Sequence, residues 1–540
     1  MEMQKRSAGI LLHPVSLPSE DGIGDFGTHA FKFIDFLEKT EIGLWQVLPL
    51  GPTAYGNSPY TAVSSFAGNP LLISLDLLQK EGWLESSELE GRPDFSLDRI
   101  DYERVYRWKV PLLRRAAERF LQRGGGKKAS AEKGGANGSG DKSDDVAEFC
   151  RREEWWLEDY ALFVTAKNFF DRQAADAGIE DSRWNYYWPT ELADRTSEEL
   201  KRRREQWSDE IAVEKVLQFF FMRQWERVKK YAHDRGVTIF GDIPIFVSPD
   251  SADVWAHPEL FMLDNKNRPT SVAGVPPDYF SSNGQRWGNP LYRWEEHRRT
   301  GFAWWISRIK KTLEQVDMVR IDHFRGFEAY WEIPAEEKTA IKGRWVKAPG
   351  RELFTRIAEE MGELPIVAED LGVITPEVQA LREEFGFPGM KVLQFAFSRD
   401  GQGGLQADNL FLPHNHLPNY VAYTGTHDND TTLGWFESQE ADLRELIRRY
   451  AGSSGQEIVW DLIRIVFMSA AYYAVVPFQD PLALGKDARM NTPGTVGGNW
   501  SWRVRSEAFN DGVGYRLRDF CRLYGRSSRS GTSDVRSDAT

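Results

Sequence analysis

One pattern constrains the fold of this chain more than any other. A short apolar run ends abruptly in polar residues, and in most cases an amphipathic helix separates it from the next run. Eight such runs occur, at 7–17, 43–50, 237–247, 316–326, 364–372, 391–397, 420–428 and 473–480. The clearest is VDMVRIDHFRG at 316–326, where Val316, Met318, Val319 and Ile321 give way to Arg320, Asp322, His323 and Arg325. Apolar, β-branched runs of this length without turn residues read as buried strands. Side chains alternate along a strand, so Arg320 and Asp322 share one face while Val319 and Ile321 take the other. Parallel strands need a crossover of a dozen or more residues, and the spacing from the third run to the eighth supplies one each time. The fold class expected is α/β, a (β/α)8 TIM barrel with a large, mostly helical insertion after the second strand and further loop insertions. A doubly wound sheet is the alternative.

This pattern also divides the chain. An inserted subdomain spans 51–235. Within it, GGGKKASAEKGGANGSGDKSDD at 124–145 is low-complexity and reads as a disordered, solvated loop. The region 248–300, rich in aromatic, Gly and Pro residues, reads as loops over a substrate groove, and 525–540 as a Ser-rich flexible tail. A net charge of −13 argues against nucleic acid or an anionic membrane as partner. Cys150 and Cys521 form neither a disulfide framework nor a metal cluster. The first residues lack the apolar core of a secretion signal, and no apolar run is long enough to cross a bilayer, so a soluble protein of a reducing compartment is expected. With 20 Trp among 540 residues, the chain has rings enough for both a core and a sugar-stacking groove.

In a parallel barrel, chemistry is housed where strands end. Asp242, Asp322, Glu369, Asp370 and Asp428 all stand at such ends. Retaining glycoside chemistry uses two carboxyl groups about 5–5.5 Å apart, one attacking the anomeric carbon and one protonating the departing oxygen. Asp322, with an arginine two residues away, suits the nucleophile. Glu369 lies among other carboxylates, whose repulsion keeps a proton available for the leaving group. Asp428 suits a stabiliser of the cationic transition state, with Arg320 and His427 binding sugar hydroxyls. Asp242 and Asp370 read equally well as supports or as sugar contacts. His414 and His416 have no third metal ligand beside them and read as a solvated loop. Lys391, at the start of its strand, reads as a surface charge rather than a Schiff-base lysine. Tyr55 and Tyr60 in the loop at 51–70, and Tyr279, Phe280 and Trp287 in the loop at 274–292, would stack on a chain of sugars.

The motifs HPVSLPS, LPLGPTAYGNSPYTAVSSFAGNP, GDIPIFV, GVPPDYFSSNGQRWGNPLY, VRIDHFRGF, VAEDLG, YTGTHDNDTT and RMNTPGT resemble, in order, those of the amylomaltases, the 4-α-glucanotransferases or disproportionating enzymes of the α-amylase clan. The resemblance runs from about Gly9 to Tyr524; Val15 and Asn283 depart from it where Thr is frequent. It implies Asp322 as nucleophile, Glu369 as acid/base and Asp428 as transition-state stabiliser. It implies Arg320 and His427 as a sugar-binding pair and Tyr60 and Trp287 as aromatic contacts; Asp370, Tyr55 and Asn491 are further candidate substrate contacts. The activity implied moves α-1,4-glucan segments from maltooligosaccharide or starch donors to a glucan or glucose acceptor, with no metal or organic cofactor. Residue chemistry alone also fits an α-1,4-glucan hydrolase, and the aromatic groove a silent glycan-binding protein. The absent signal fits a bacterial cytosol or a processed plastid stroma protein.

Overall fold

In the computed structural model, residues 6–124, 145–277, 281–495 and 497–529 are described, with the Tyr55 side chain outside that set. The interior of the expected loop at 124–145, Tyr279, Phe280 and the tail from 530 also lie outside it. The described residues form twelve strands: β1 (Ser7–Leu11), β2 (Leu44–Gln46), β3 (Thr238–Pro244), β4 (Ser271–Val275), β5 (Gln285–Pro290), β6 (Met318–Asp322), β7 (Ala329–Pro334), β8 (Arg344–Lys347), β9 (Ile366–Ala368), β10 (Gly389–Val392), β11 (Tyr420–Tyr423) and β12 (Tyr473–Pro477).

Eight of them make one parallel sheet in the order β10-β11-β12-β1-β2-β3-β6-β9. Its two ends meet: the Ala368 amide of β9 donates to the Pro388 carbonyl beside β10 at 2.9 Å, which closes the ring. The expected barrel is therefore present. Its staves are covered on both faces, as parallel strands require, and Ile10, Trp45, Ile239, Val319, Val367, Val421 and Val475 are all inaccessible to solvent or nearly so. Strands are shorter than the apolar runs suggest, because the chain leaves the ladder to form the rim loops. The sixth stave starts upstream, at Gly389, so Lys391 lies within it rather than at its start. Lys391 is also no free surface charge. Its ammonium sits 4.4 Å from the centre of the Tyr420 ring, and burial lowers its pKa.

The insertion after β2 is helical, with Tyr102–Gln122 and Val146–Asp176 its longest members. The long helix Ser208–His233 packs on these helices, where Phe219 and Phe220 meet Phe120 at 5.7 and 5.3 Å, and on the barrel. Trp225 of that helix packs edge-on against Trp45 of β2 at 6.2 Å, and Tyr231 against Phe31 at 4.8 Å. Gln218 and Gln224 on the same helix each accept from one backbone amide, of Gly68 and Ser74, and donate back to the same residue's carbonyl. These paired bonds hold the chain from 68 to 74 against the barrel wall.

The four remaining strands make an antiparallel sheet, β5-β4-β7-β8, of which β4 and β5 fall where the sequence suggested loops. Glycine and proline mask its alternation. Gly274 is required there, since a Cβ would stand 2.2 Å from the Gln285 carbonyl of the neighbouring strand. Within the expected tail at 525–540, residues 525–529 are described. Arg526 is fully buried and donates to the carbonyls of Ser7, Phe467, Ser469, Ala471 and Tyr472, joining the C-terminal segment to the foot of β1 and β12. Among the described residues no helix is long and apolar enough to cross a membrane.

Candidate active site

The register of three staves assembles the centre of the site. Asp242 of β3 lies opposite Arg320 of β6, and Ile321 of β6 opposite Ala368 of β9. One step further along, Asp322 and Glu369 are therefore neighbours on adjacent parallel strands, whose spacing is about 4.8 Å. Backbone bonds lock that step: the Glu369 amide donates to the Ile321 carbonyl at 3.1 Å, and the Phe324 amide to the Glu369 carbonyl at 3.2 Å.

Arg320 is buried and shared. Its Nη1 donates to Asp242 Oδ2 and its Nη2 to Asp322 Oδ1, both at 2.6 Å. Asp242 is fully enclosed and accepts a further bond from the Tyr60 hydroxyl at 2.9 Å. Of the two readings for Asp242, the structure gives support: it anchors Arg320 and Tyr60. Burial pushes its pKa up to about 7, against the pull of Arg320. Asp322 keeps about a third of its side chain exposed.

Glu369 accepts from the His323 amide at 2.8 Å and the Leu371 amide at 3.0 Å. Its pKa is nevertheless pushed up to about 8, by burial first and the Asp322 charge second, with Arg320 opposing and Asp370 adding. Proximity of carboxylates was the expected cause; desolvation is the larger one. His323 reaches its bonding position through a left-handed backbone at φ 53°, and its ring meets Trp287 edge-on at 4.8 Å. Trp287 is 39% exposed.

The loop after β11 brings the third acid. Asp428 accepts from Asn491 Nδ2 at 2.6 Å and lies 3.4 Å from His427 Nε2. His427 stacks on Tyr60 at 5.0 Å and 18°, and burial lowers its pKa. Asn491 thus joins the site through Asp428. Two residues absent from the sequence reading complete this side. Trp500 packs against both His427 and Tyr60, at 5.8 and 6.0 Å. Asp480, buried at the end of the eighth run, accepts from the Thr424 hydroxyl at 2.5 Å, the Thr432 amide at 2.9 Å and the Thr432 hydroxyl at 2.7 Å. It pins both ends of the loop that carries His427 and Asp428. Its place at a strand end was the available signal.

Asp370 does not join the site. One residue past Glu369, it alternates to the other side. It accepts from the Met390 amide at 2.7 Å and lies 3.4 Å from Arg382, almost wholly enclosed. The Met390 bond ties the end of β9 to β10. His416 is likewise buried rather than solvated, with Nε2 3.0 Å from the Phe411 carbonyl and a pKa lowered to about 4 by burial.

A barrel rim with an arginine-paired aspartate beside a proton-holding glutamate, under stacking aromatics, is a glycosidase-type arrangement. The family model for 4-alpha-glucanotransferase matches residues 12–508. The chain belongs to the 4-α-glucanotransferase family. It is 50% identical over 521 residues to the 4-alpha-glucanotransferase of Thermus thermophilus, covering 95% of this chain and 97% of that one. It is 43% identical over 526 residues to the chloroplastic/amyloplastic 4-alpha-glucanotransferase of Arabidopsis thaliana, covering 97% and 86%. The solved amylomaltase of Streptococcus agalactiae in complex with acarbose superposes with a TM-score of 0.88 at 38% identity, covering 97% of this chain and all of that one. As a member of the 4-α-glucanotransferases, the protein is a transferase acting on α-1,4-glucans, and the catalytic-silence alternative falls away.

Proposed function

We propose that Asp322, Glu369 and Asp428 carry this transfer as a retaining double displacement. Glu369 protonates the glycosidic oxygen while Asp322 Oδ attacks the anomeric carbon, forming a glycosyl ester and releasing the reducing-end fragment. Glu369, now a base, takes the proton of an acceptor 4-hydroxyl, whose oxygen displaces Asp322 and restores the α configuration. Asp428, held by Asn491, faces the positive charge that develops on the sugar. Arg320, His427 and Tyr60 bind the sugar on the far side from the leaving group, and Trp287 the near side. Donors are maltooligosaccharides or starch chains; acceptors are glucans or glucose. We place the protein in a bacterial cytosol or a plastid stroma; the Arabidopsis thaliana relative is a chloroplastic/amyloplastic protein.

One observation carries this reading. Neighbouring staves bring an arginine-paired aspartate and a glutamate with its pKa near 8 into register. The test is covalent trapping. Glu369→Gln supplied with an α-maltosyl fluoride, whose leaving group needs no proton, is expected to accumulate a maltosyl adduct on the peptide containing Asp322. An adduct elsewhere, or full exchange of maltotriose by Asp322→Asn, would overturn the assignment.

A further inference from the structure

We propose that Trp345 is a sugar platform on the acceptor side of the cleft, binding a glucosyl unit beyond the one that receives the transferred chain. The proposal rests on Glu369 as acid/base, because the group that protonates the leaving oxygen borders the side where leaving chain and acceptor lie.

Trp345 stands on β8, one edge of the antiparallel sheet whose other edge carries Trp287. Its ring covers the Arg325 guanidinium, with 3.8 Å from the guanidinium carbon to the ring centre, and meets Trp331 edge-on at 5.2 Å. Arg325 follows Asp322 by three residues and donates to the carbonyl of Val373, which follows Glu369 by four. The ring is thus one side chain removed from both loops that carry the reacting carboxyls. Burial lowers the Arg325 pKa, with the carboxylates of Glu328 and Glu377 opposing. A lid for a guanidinium needs one face of the indole. Trp345 keeps 39% of its surface exposed, and Val373 beside this arginine is 67% exposed. An indole held over Arg325, with 39% of its surface exposed and one side chain away from the loops of Asp322 and Glu369, matches the apolar face of a pyranose.

The test uses the full chain, one donor, and two acceptors, glucose and maltopentaose. Glucose reaches only the receiving position, whereas maltopentaose extends past it. Trp345→Ala is expected to raise KM for maltopentaose about three- to tenfold more than KM for glucose, the range of one aromatic stacking contact. Trp345→Phe is expected to recover most of the difference. Trp345→Leu, which still covers Arg325 but offers no ring, should behave like alanine if the flat face binds sugar, and it serves where alanine fails to fold. Equal KM changes for both acceptors, or none, would overturn the proposal. A wild-type chain without transfer, or trapping away from Asp322, would instead overturn the catalytic assignment.

Discussion

Glu369 carries the pH dependence of the site. Its carboxyl is raised from an ordinary 4.5 to about 8, so the folded chain holds a proton that the unfolded chain releases. Stability from that difference is complete below 4.5 and is lost as pH rises toward 8. Transfer from maltotriose is expected to fall as pH climbs through about 8, since the acid form disappears. Glu369→Gln should flatten the alkaline loss of stability in urea unfolding and leave little transfer. Arg320 is the other decisive residue. Arg320→Met leaves Asp242 and Asp322 without a counter-charge, and breaking a buried pair costs about 3–5 kcal/mol, to be read from the same urea curves. The Arg320–Asp322 pairing was legible in the sequence because alternation alone places both on one face. The same rule, applied one residue past Glu369, would have turned Asp370 away from the cleft. What alternation cannot supply is burial, and burial is the larger cause of the Glu369 shift.

Among elements, the rim loops differ in how they are fixed. The loop between Thr424 and Thr432 depends on Asp480, a buried carboxylate that, among the described residues, accepts from three donors and bonds no cation. Asp480→Ala strands those donors, at a cost of about 1–3 kcal/mol in a thermal melt. It also frees His427 and Asp428, so kcat is expected to fall about 10- to 100-fold, more than KM changes. Asp480→Asn, which keeps an acceptor, should recover part of the rate. Staves were legible as elements because each is an apolar run with a polar stop. The antiparallel sheet was not: β4 and β5 carry Gly274, Gly288 and Pro290, and the bulge between Val272 and Gly274 interrupts their period. Trp345 lies on that sheet, which is why no strand-end pattern pointed to it.

For the whole molecule, the barrel count and order followed from spacing, whereas its fastenings did not. Arg526 reaches five carbonyls from a segment that composition marks as tail. Removing residues 526–540 is expected to lower the melting temperature markedly, whereas removing 530–540 leaves Arg526 in place and should shift it far less. The ring of staves is also uneven. Between β3 and β6 five residue pairs are in register, whereas β9, three residues long, meets β10 through the Ala368–Pro388 and Asp370–Met390 bonds rather than a ladder. Warming should part the molecule there first, beside Glu369. Deuterium uptake at the Ala368 amide should then outpace that at Val319, and catalysis should fade, reversibly, a few degrees before the far staves come undone.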